Sequence, residues 1–160
     1  MAAPAITARV TPTDRKLHDG FQSLITFERD PDVAIWEKQI TPPGIDGGES
    51  IDQTTMHNLT VRTKAPRSLI TYTDGTVTCA YAPDAYNQLL AMVNIPQSIT
   101  ITFSDGGTLS FYGYMRTFQP AALQEGSQPE ATVGFVVTNW DFVNCLEVLP
   151  VIVEGTGTCY

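Results

Sequence analysis

The chain has 160 residues, of which 42% are hydrophobic and only 16% are charged, and its formal net charge is −8. This length fits one domain with a core, or one domain with extended arms. The acidic balance disfavours a wrapped or groove-bound nucleic acid, because such binding relies on Lys and Arg. So few charges are thin cover for a small domain alone in water, and they are typical of a chain that buries surface against other subunits.

The first 20 residues are polar, include Pro4 and Pro12 and show no clear periodicity, so we predict that residues 1–20 form an N-terminal arm. This segment lacks the apolar core of a secretory signal, and no stretch reaches the roughly 18 apolar residues of a membrane helix. The cysteines have no metal-binding spacing, and we expect reduced thiols in a protein made in the cytoplasm. They are Cys79, Cys145 and Cys159.

Residues 21–29 and 33–40 are rich in apolar and β-branched side chains and predict two strands around a turn. The next segment, TPPGIDGGESIDQTTMHN at residues 41–58, carries three acids and neither Lys nor Arg. We predict a long loop there, because structureless segments of this length tend to be functional or disordered. The spacing of its acids does not match the alternating ligands of an EF-hand, so solvated acids are favoured over a calcium site.

A hairpin is predicted next, with strands at residues 68–73 and 76–81 joined by an Asp74-Gly75 turn, because type I′ turns favour this pair. Residues 83–93 predict the single helix, which begins near Pro83 and ends at Asn94 in the left-handed conformation. Its apolar face is expected to comprise four side chains at helical spacing: Tyr86, Leu89, Leu90 and Val93.

Four more strands are predicted, at residues 98–104, 108–118, 131–138 and 145–153. A polar loop at 119–129 separates the second from the third, and residues 154–160 are expected to form a flexible tail. In the first of these strands, Ile99 and Ile101 alternate with Ser and Thr, so one face is apolar and the other faces water. About eight antiparallel strands and one helix predict a mainly β fold, a β-sandwich or open barrel over residues 21–153.

Catalytic chemistry has few candidates in this sequence. The only histidines, His18 and His57, lie outside any metal-binding pattern, and the chain has no nucleophile elbow, Walker A motif or dinucleotide-binding motif. We therefore predict a non-enzymatic protein with no cofactor and no bound metal. The aromatic residues are scattered over several elements, which favours core or interface packing over a sugar-binding platform.

The order of these features resembles the major tail tube proteins of long-tailed, non-contractile (siphovirus-type) bacteriophages. The resemblance covers about residues 20–150, and no single motif in it is exclusive to that family. The shared series is a strand pair, TPPGIDGGESID (41–52), TVRTKA (60–65), the Asp74-Gly75 pair, the helix, ITITFSDGG (99–107), LSFYGYMR (109–116) and TVGFVVT (132–138).

The resemblance implies a structural virion protein that self-assembles. In such tails six copies form a ring, one sheet of each subunit contributes to a ring-shaped inner barrel, and rings stack into a hollow tube for genome ejection. The implied partners are further copies of the chain, a tape-measure protein, a tail-tip complex and a tail terminator. DNA would cross the lumen without specific binding, and the protein would reside in the virion tail after assembly in the host cytoplasm.

Within the implied tube, the loop at residues 41–58 is expected to order against the next ring. Its apolar anchors would be Ile45, Ile51 and Met56. Acids of the loop would pair with bases across the interface; the acids are Asp46, Glu49 and Asp52, and the candidate bases are Arg62, Lys64 and Arg67. Threonines on the polar strand faces would line the lumen or, equally, the tube exterior: Thr71, Thr73, Thr76, Thr78, Thr100 and Thr102.

Two other functions fit the same residues. A ring-forming secretion-tube subunit of a contractile injection machine would have a similar fold and would persist as free hexamers. A monomeric β-sandwich that binds carbohydrate would stay monomeric at every concentration and would carry an aromatic-lined groove, because apolar and aromatic side chains line most small-molecule sites.

Overall fold

The computed structural model describes residues 20–155 as an antiparallel β structure with one short helix. Residues 1–19 of the predicted N-terminal arm and residues 156–160 of the predicted tail lie outside the described residues. The elements are β1 (Leu24–Phe27), β2 (Ile35–Thr41), β3 (Ile45–Asp46), β4 (Ile51–Asp52), β5 (Lys64–Ala65), β6 (Thr71–Tyr72), β7 (Gly75–Tyr81), α1 (Ala85–Leu90), β8 (Gln97–Thr102), β9 (Thr108–Pro120), β10 (Glu130–Val137), β11 (Trp140–Asp141), β12 (Leu146–Glu147) and β13 (Val151–Val153).

One continuous sheet has the strand order β1-β8-β9-β10-β7-β2, and β13 adds to β9. β9 serves both halves of this sheet, because residues 108–113 pair with β8 and residues 113–120 pair with β10. Where β10 shifts register, Phe135 faces Met115 and Gly134 faces Thr117, so Arg116 is a bulged extra residue of β9. Bulges bend a strand and increase its twist. The sheet curves around its core, and β1 and β2 become the two edges of an open barrel.

Side chains that alternate along the strands fill the barrel. Ile99 and Ile101 of β8 are buried, as their alternation with Ser and Thr predicted. The rings of Phe111 on β9 and Phe135 on β10 stack with their centroids 5.6 Å apart, which joins the two halves of the sheet across the core. The predicted mainly β architecture with one helix is confirmed.

α1 is shorter than the predicted range 83–93 and buries a different face. Ala85 and Leu89 are buried, whereas Leu90 is exposed and Tyr86 is half-exposed. The prediction that Leu90 and Tyr86 belong to the buried face was wrong. Tyr86 lies at the rim of the barrel. There its ring contacts one aromatic ring of β7 and one of β9 edge-on instead of entering the core.

The Asp74-Gly75 pair does not form the predicted hairpin turn. Gly75 is the first residue of β7, which pairs with β2 and β10 and not with residues 68–73. Glycine is required here by packing, since an added Cβ would overlap the Phe135 ring and lie 2.9 Å from the Thr41 carbonyl oxygen. The sequence pattern at residues 74–75 thus indicates a position that requires glycine. The requirement comes from the close approach of neighbouring strands and not from a turn.

Three further predictions change in detail. Residues 41–58, predicted as a loop, contain β3 and β4 and pair with a later part of the chain. The strand predicted at residues 145–153 is split into β12 and β13, because Pro150 between them lacks the N–H that a ladder needs. β9 continues two residues into the loop predicted at 119–129. Asn94 has a φ of 59°, so the left-handed residue predicted after the helix is confirmed.

Replacing Gly75 by Ala tests the packing role. We expect a loss of about 1–3 kcal/mol in the free energy of unfolding, the range typical of overpacking a filled core, measured by urea denaturation. The Gly47→Ala variant is the control, since an added Cβ at residue 47 meets no atom within 4 Å. A second variant, Gly75→Ala with Phe135→Leu, should recover part of the loss. Equal stability of the Gly75→Ala variant and the wild type would contradict the assignment.

Candidate assembly surfaces

A long hairpin extends beyond the barrel. β2 and β7 pair from Ile35 and Tyr81 up to Thr41 and Thr76, and four residues further along each strand Ile45 faces Tyr72 in the same register. The ladder then continues, after one extra residue on the returning strand, through β4 and β5. We call residues 42–74 the β-arm. Its residues are exposed almost throughout, because the barrel core does not extend behind it.

Hydrogen bonds within the β-arm hold it in shape. Gly44 and Thr73 exchange two bonds, from the Thr73 N–H to the Gly44 carbonyl oxygen at 2.9 Å and from the Gly44 N–H to the Thr73 hydroxyl at 2.8 Å. Near the middle, the Arg67 Nε donates to the Glu49 carbonyl oxygen at 2.8 Å. The segment predicted as a loop is therefore half of an ordered ribbon, and its partner strand is supplied by residues 63–73.

Asn58 organises the tip of the β-arm. Its side-chain oxygen accepts a bond from the Thr55 N–H at 2.9 Å, and its side-chain nitrogen donates to the Val61 carbonyl oxygen at 3.0 Å and to the Thr63 hydroxyl at 2.7 Å. The apolar side chains around it point into solvent: Met56, Leu59 and Val61. A tip with a fixed backbone and three exposed apolar side chains has the composition of a contact surface.

The predicted interface residues all lie on the β-arm, at different distances from the barrel. Ile45, Ile51 and Met56 are exposed. The predicted charges partly pair within the β-arm, since Arg62 lies 3.7 Å from Asp52 and both side chains are exposed. Hydrogen bonds from the Thr54 side chain and backbone lower the pKa of Asp52. Asp52 is therefore already charged and partnered in the single subunit.

Sequence reasoning missed four apolar residues of the β-arm. These are Leu59, Val61, Leu69 and Ile70, all exposed. The available signal was their presence in a segment that is otherwise polar and lacks the alternation of a buried strand. The predicted hairpin of residues 68–81 would make Leu69 and Ile70 ordinary core residues, whereas in the structure both lie on the β-arm and are exposed.

A second exposed apolar surface lies in residues 140–153. β11 and β12 form a small hairpin whose turn presents Phe142 and Val143 to solvent. Asp141, which is only 4% exposed, holds this turn: its carboxylate accepts bonds from the N–H groups of Val143 and Asn144 and from the Asn144 side chain, at 2.8, 3.2 and 2.6 Å. These bonds, led by the one from the Asn144 side chain, lower the pKa of Asp141.

Part of the outer face of the half-sheet β2-β7-β10-β9 is polar and uncharged, and it is followed on the same face by a row that contains Trp36, Ala80 and Glu130. Two cross-strand rows cover the uncharged part, and we call their side chains the threonine face: Gln39, Thr41, Thr76, Thr78, Thr117, Gln119 and Thr132. Two ion pairs border it. Lys38 pairs with Glu130, and Arg116 lies 3.5 Å from Asp74, so the charges at its margin cancel.

The six threonines predicted for the lumen do not share one surface. Thr76 and Thr78 belong to the threonine face. Thr100 and Thr102 lie on β8 in the other half-sheet, where the Thr100 hydroxyl is 3.1 Å from that of Ser110. Thr71 and Thr73 lie on the β-arm, on the opposite side of the ribbon from Thr76, because side chains alternate along a strand.

Other chemistry is sparse in the described part of the chain. Cys79 is buried, and burial, reinforced by the charge of Glu37, raises the pKa of its thiol to about 11, whereas Cys145 is exposed. Within residues 20–155, no three His, Cys, Asp or Glu side chains are grouped closely enough to hold a metal ion. None of the helical structure in that range is long and apolar enough to cross a membrane.

Comparison with known proteins informs the fold. No protein-family model matches the sequence, and no curated protein matches it. A chain of the six-fold symmetrised cryo-EM structure of the anti-feeding prophage baseplate matches with a TM-score of 0.56 and 10% identity, over 84% of this chain and 92% of that one. This structural match covers most of both chains and confirms the predicted β fold of the phage-tail type. The SPP1 Dit protein, described as a paradigm of the hub adsorption apparatus in phages that infect Gram-positive hosts, matches with a TM-score of 0.47 and 13% identity, over 73% of this chain and 50% of that one.

The Asp141→Asn variant tests the turn that presents Phe142 and Val143. A carboxyl whose pKa is lowered by folding stabilises the fold above its ordinary value of 3.8, and this contribution is lost as the pH falls through the lowered value. We therefore expect a lower thermal midpoint for the variant at pH 7 and a difference that shrinks below about pH 4. Asp84→Asn, at a helix start without a side-chain capping bond, is the control. A difference independent of pH would contradict the role of the charge.

Proposed function

We propose that this protein is a structural, non-enzymatic subunit of a phage tail or of a related injection apparatus, and that it assembles into rings that stack. The β-arm is the observation that carries the proposal. At about 3.3 Å per residue, its outgoing strand reaches about 45 Å from the barrel and ends in three exposed apolar side chains. We infer that an ordered ribbon of this length with an apolar tip binds another molecule.

A second copy of the chain is the partner that the β-arm fits best. The β-arm and the surface it would meet are different parts of the molecule, so the contact is heterologous and repeats along an open line unless it closes. Stacked rings contain both kinds of contact. The contacts within a ring close on themselves, and the contacts between rings repeat along the stack. Full burial of the Met56 or Leu59 side chain is worth about 1.5–3 kcal/mol each, which is enough for a small tip to bias assembly.

The threonine face supports a tube through which DNA passes. A basic lumen would bind the duplex, which carries about one charge per 1.7 Å of axis, whereas hydroxyl and amide groups offer no fixed positive charge. We propose that this face lines the lumen, with Thr76 and Thr78 as its members from the predicted set. A major tail tube protein of a siphovirus-type phage, in hexameric rings with a tape-measure protein, a tail-tip complex and a terminator as partners, is the specific form of this proposal.

A ring at the end of a tube is the second candidate, and the likeness to the baseplate chain of the anti-feeding prophage favours it. Such a subunit, or a secretion-tube subunit, would form single or short-stacked rings without growing into long tubes. The monomeric carbohydrate-binding alternative has one supporting feature, a groove lined by Phe21, Trp36 and Phe103. Mass measurement over a concentration series separates this alternative from the other two, because it predicts a constant monomer.

Removal of the β-arm tests the assembly role. In the shortened chain, residues 45–72 are replaced by Asn-Gly, so that the bonded pair of Gly44 and Thr73 closes a two-residue hairpin. We expect a folded monomer with unchanged core stability that forms neither tubes nor stacked rings, because the apolar tip is gone. Electron microscopy with negative stain and light scattering would measure assembly, and circular dichroism with urea denaturation would measure folding.

Point variants provide the matched comparison. Met56→Asp with Leu59→Asp places two charges at the tip, and Leu123→Asp places one at an exposed apolar residue outside the β-arm. We expect the tip variant to lose assembly and the Leu123 variant to keep it. Long tubes from the shortened chain would sink the proposal.

Lysines placed on the threonine face test the lumen. Tubes with Thr76→Lys and Thr132→Lys in every subunit should retain DNA at low salt and release it as salt rises, because each phosphate contact releases counterions. The control is Thr100→Lys with Thr102→Lys, on the other half-sheet. Equal DNA retention by both pairs, or retention only by the control, would show that a different face lines the channel.

A further inference from the structure

The second exposed apolar surface, near the end of the chain, includes a strand edge that the domain leaves uncovered. β13 pairs with β9 through one edge, and no strand of residues 20–155 pairs with its other edge. Val151, Ile152 and Val153 are each more than half exposed, although successive side chains of a strand point to opposite faces. Neither face of β13 is therefore buried against the core. An apolar edge strand of this kind is a template for pairing with another chain.

The backbone holds β13 in a fixed place. The strand follows a regular antiparallel register on β9, in which Val151 faces Ser110. Just after β13, Gly155 packs so closely on the turn at residues 105–107 that an added Cβ would overlap the Asp105 carbonyl oxygen. A preorganised surface loses little conformational freedom when it binds, and this favours affinity. β13 is therefore a preformed edge for an added strand.

The charges around β13 are all negative. Residues 138–155 contain three acids and neither Lys nor Arg. Asp141 is buried and bonded within its turn, whereas Glu147 and Glu154 are exposed. Within residues 20–155, neither of the two exposed carboxylates forms an ion pair. We call residues 140–154 the acidic surface, because its apolar side chains are accompanied only by negative charge.

The returning strand of the β-arm carries the opposite charge. Residues 59–73 contain three bases and no acid. Arg62 lies beside Asp52, but Lys64 and Arg67 form no ion pair with any of the residues 20–155. The returning strand pairs with the outgoing strand through one edge, and no other described strand pairs with it. The same segment contains four exposed apolar side chains: Leu59, Val61, Leu69 and Ile70.

The charge pattern favours the acidic surface over another exposed apolar site, the groove between β1 and β2. Apolar side chains that include Trp36 and Phe103 line this groove, but its charged lining residues are one acid and one base, Glu37 and Lys38. Complementary charge selects the partner and the register of an interface. A strand with two uncompensated positive charges therefore fits the acidic surface better than the groove.

We propose that the returning strand of the β-arm binds the acidic surface of a second copy of this chain. Its free edge pairs with β13, and its apolar side chains cover those of β13. Lys64 and Arg67 neutralise the two exposed carboxylates of the acidic surface. This inference rests on the proposed function, since it names the surface that the β-arm contacts in the assembly. Because the β-arm and the acidic surface are different parts of the chain, each copy provides one of each.

Charge reversal tests the contact in the full chain. The acceptor variant carries Glu147→Lys with Glu154→Lys, and the arm variant carries Lys64→Glu with Arg67→Glu. Each variant alone should raise the concentration needed for assembly by at least about tenfold, because like charges face each other across the contact. A mixture of equal parts should assemble as the wild type does, since opposite charges then meet between the two chains.

The matched control makes the same charge change elsewhere. Asp32→Lys with Glu125→Lys replaces two exposed acids outside both the β-arm and the acidic surface. We expect this variant to assemble at the same concentration as the wild type. Circular dichroism checks that each variant is folded, and the arm variant, which is altered outside the barrel, provides the same test if the acceptor variant is unfolded.

A mixture of two incomplete chains isolates a single contact. The shortened chain, in which Asn-Gly replaces residues 45–72, keeps the acidic surface and lacks the β-arm, whereas the acceptor variant keeps the β-arm. We expect these two chains to form a complex, measured by sedimentation velocity at low salt. The complex should weaken as salt screens the charges. The shortened chain with Glu147→Lys and Glu154→Lys should not bind.

The outcomes separate this inference from the proposed function. Rings or tubes of the wild type, together with normal assembly of the acceptor variant, would overturn the inference and leave the proposed function intact. A wild type that stays monomeric at every concentration would contradict the proposed function. Absence of the two-chain complex would then overturn this inference as well, whereas its formation would support the contact.

Discussion

Everything in this fold depends on one strand that belongs to two half-sheets. β9 pairs along its first part with β8 and along its second part with β10, and the bulge at Arg116 lies where the strand bends. Because the two half-sheets are joined by hydrogen bonds along the same strand, they must face each other, and their inner side chains must meet. The stacked rings of Phe111 and Phe135 lie at this meeting point. The core, the site of the helix and the open side of the barrel follow from that bend.

Apolar side chains in this protein fall into two populations with different environments. One fills the barrel, where Phe27, Ile99 and Val133 have no exposure. The other lies on projections that no core can reach: the tip of the β-arm and the small hairpin after β10. A polar network holds each projection, around Asn58 in the first case and Asp141 in the second. The backbone is therefore held in place at two apolar surfaces that do not pack against the core. This arrangement is expected of a subunit whose exposed apolar surfaces are buried against neighbouring subunits.

Local patterns predicted the interior better than the projections. The alternation around Ile99 gives the buried face of β8 directly, because strand periodicity and burial agree there. The β-arm could not be predicted in this way, since Ile45 pairs with Tyr72 across 27 positions and neither flanking segment alternates. Gly75 illustrates the same limit. The sequence showed that the position needs glycine, but the cause is contact with the Phe135 ring, which lies 60 positions away in the chain. Of the candidate site, the sequence singled out the segment and the exposed side chains of Ile45, Ile51 and Met56, but it did not predict the ribbon that carries them. Nor could it assign the threonines to faces, because that needs the order of strands in the sheet.

The long separation between paired strands has a consequence for the order of events in time. β1 pairs with β8, which lies more than 70 residues later in the chain. Strand pairing at such separation is slow because a large loop must close first. The β-arm closes between neighbouring segments, so its ribbon can form while the barrel is still incomplete. A newly made chain would then expose the apolar tip of its β-arm before its core is complete. In the proposed assembly, growth would compete with aggregation of such incomplete chains. Slow initiation of polymerisation, at a template that binds only completed barrels, would protect the yield of productive subunits.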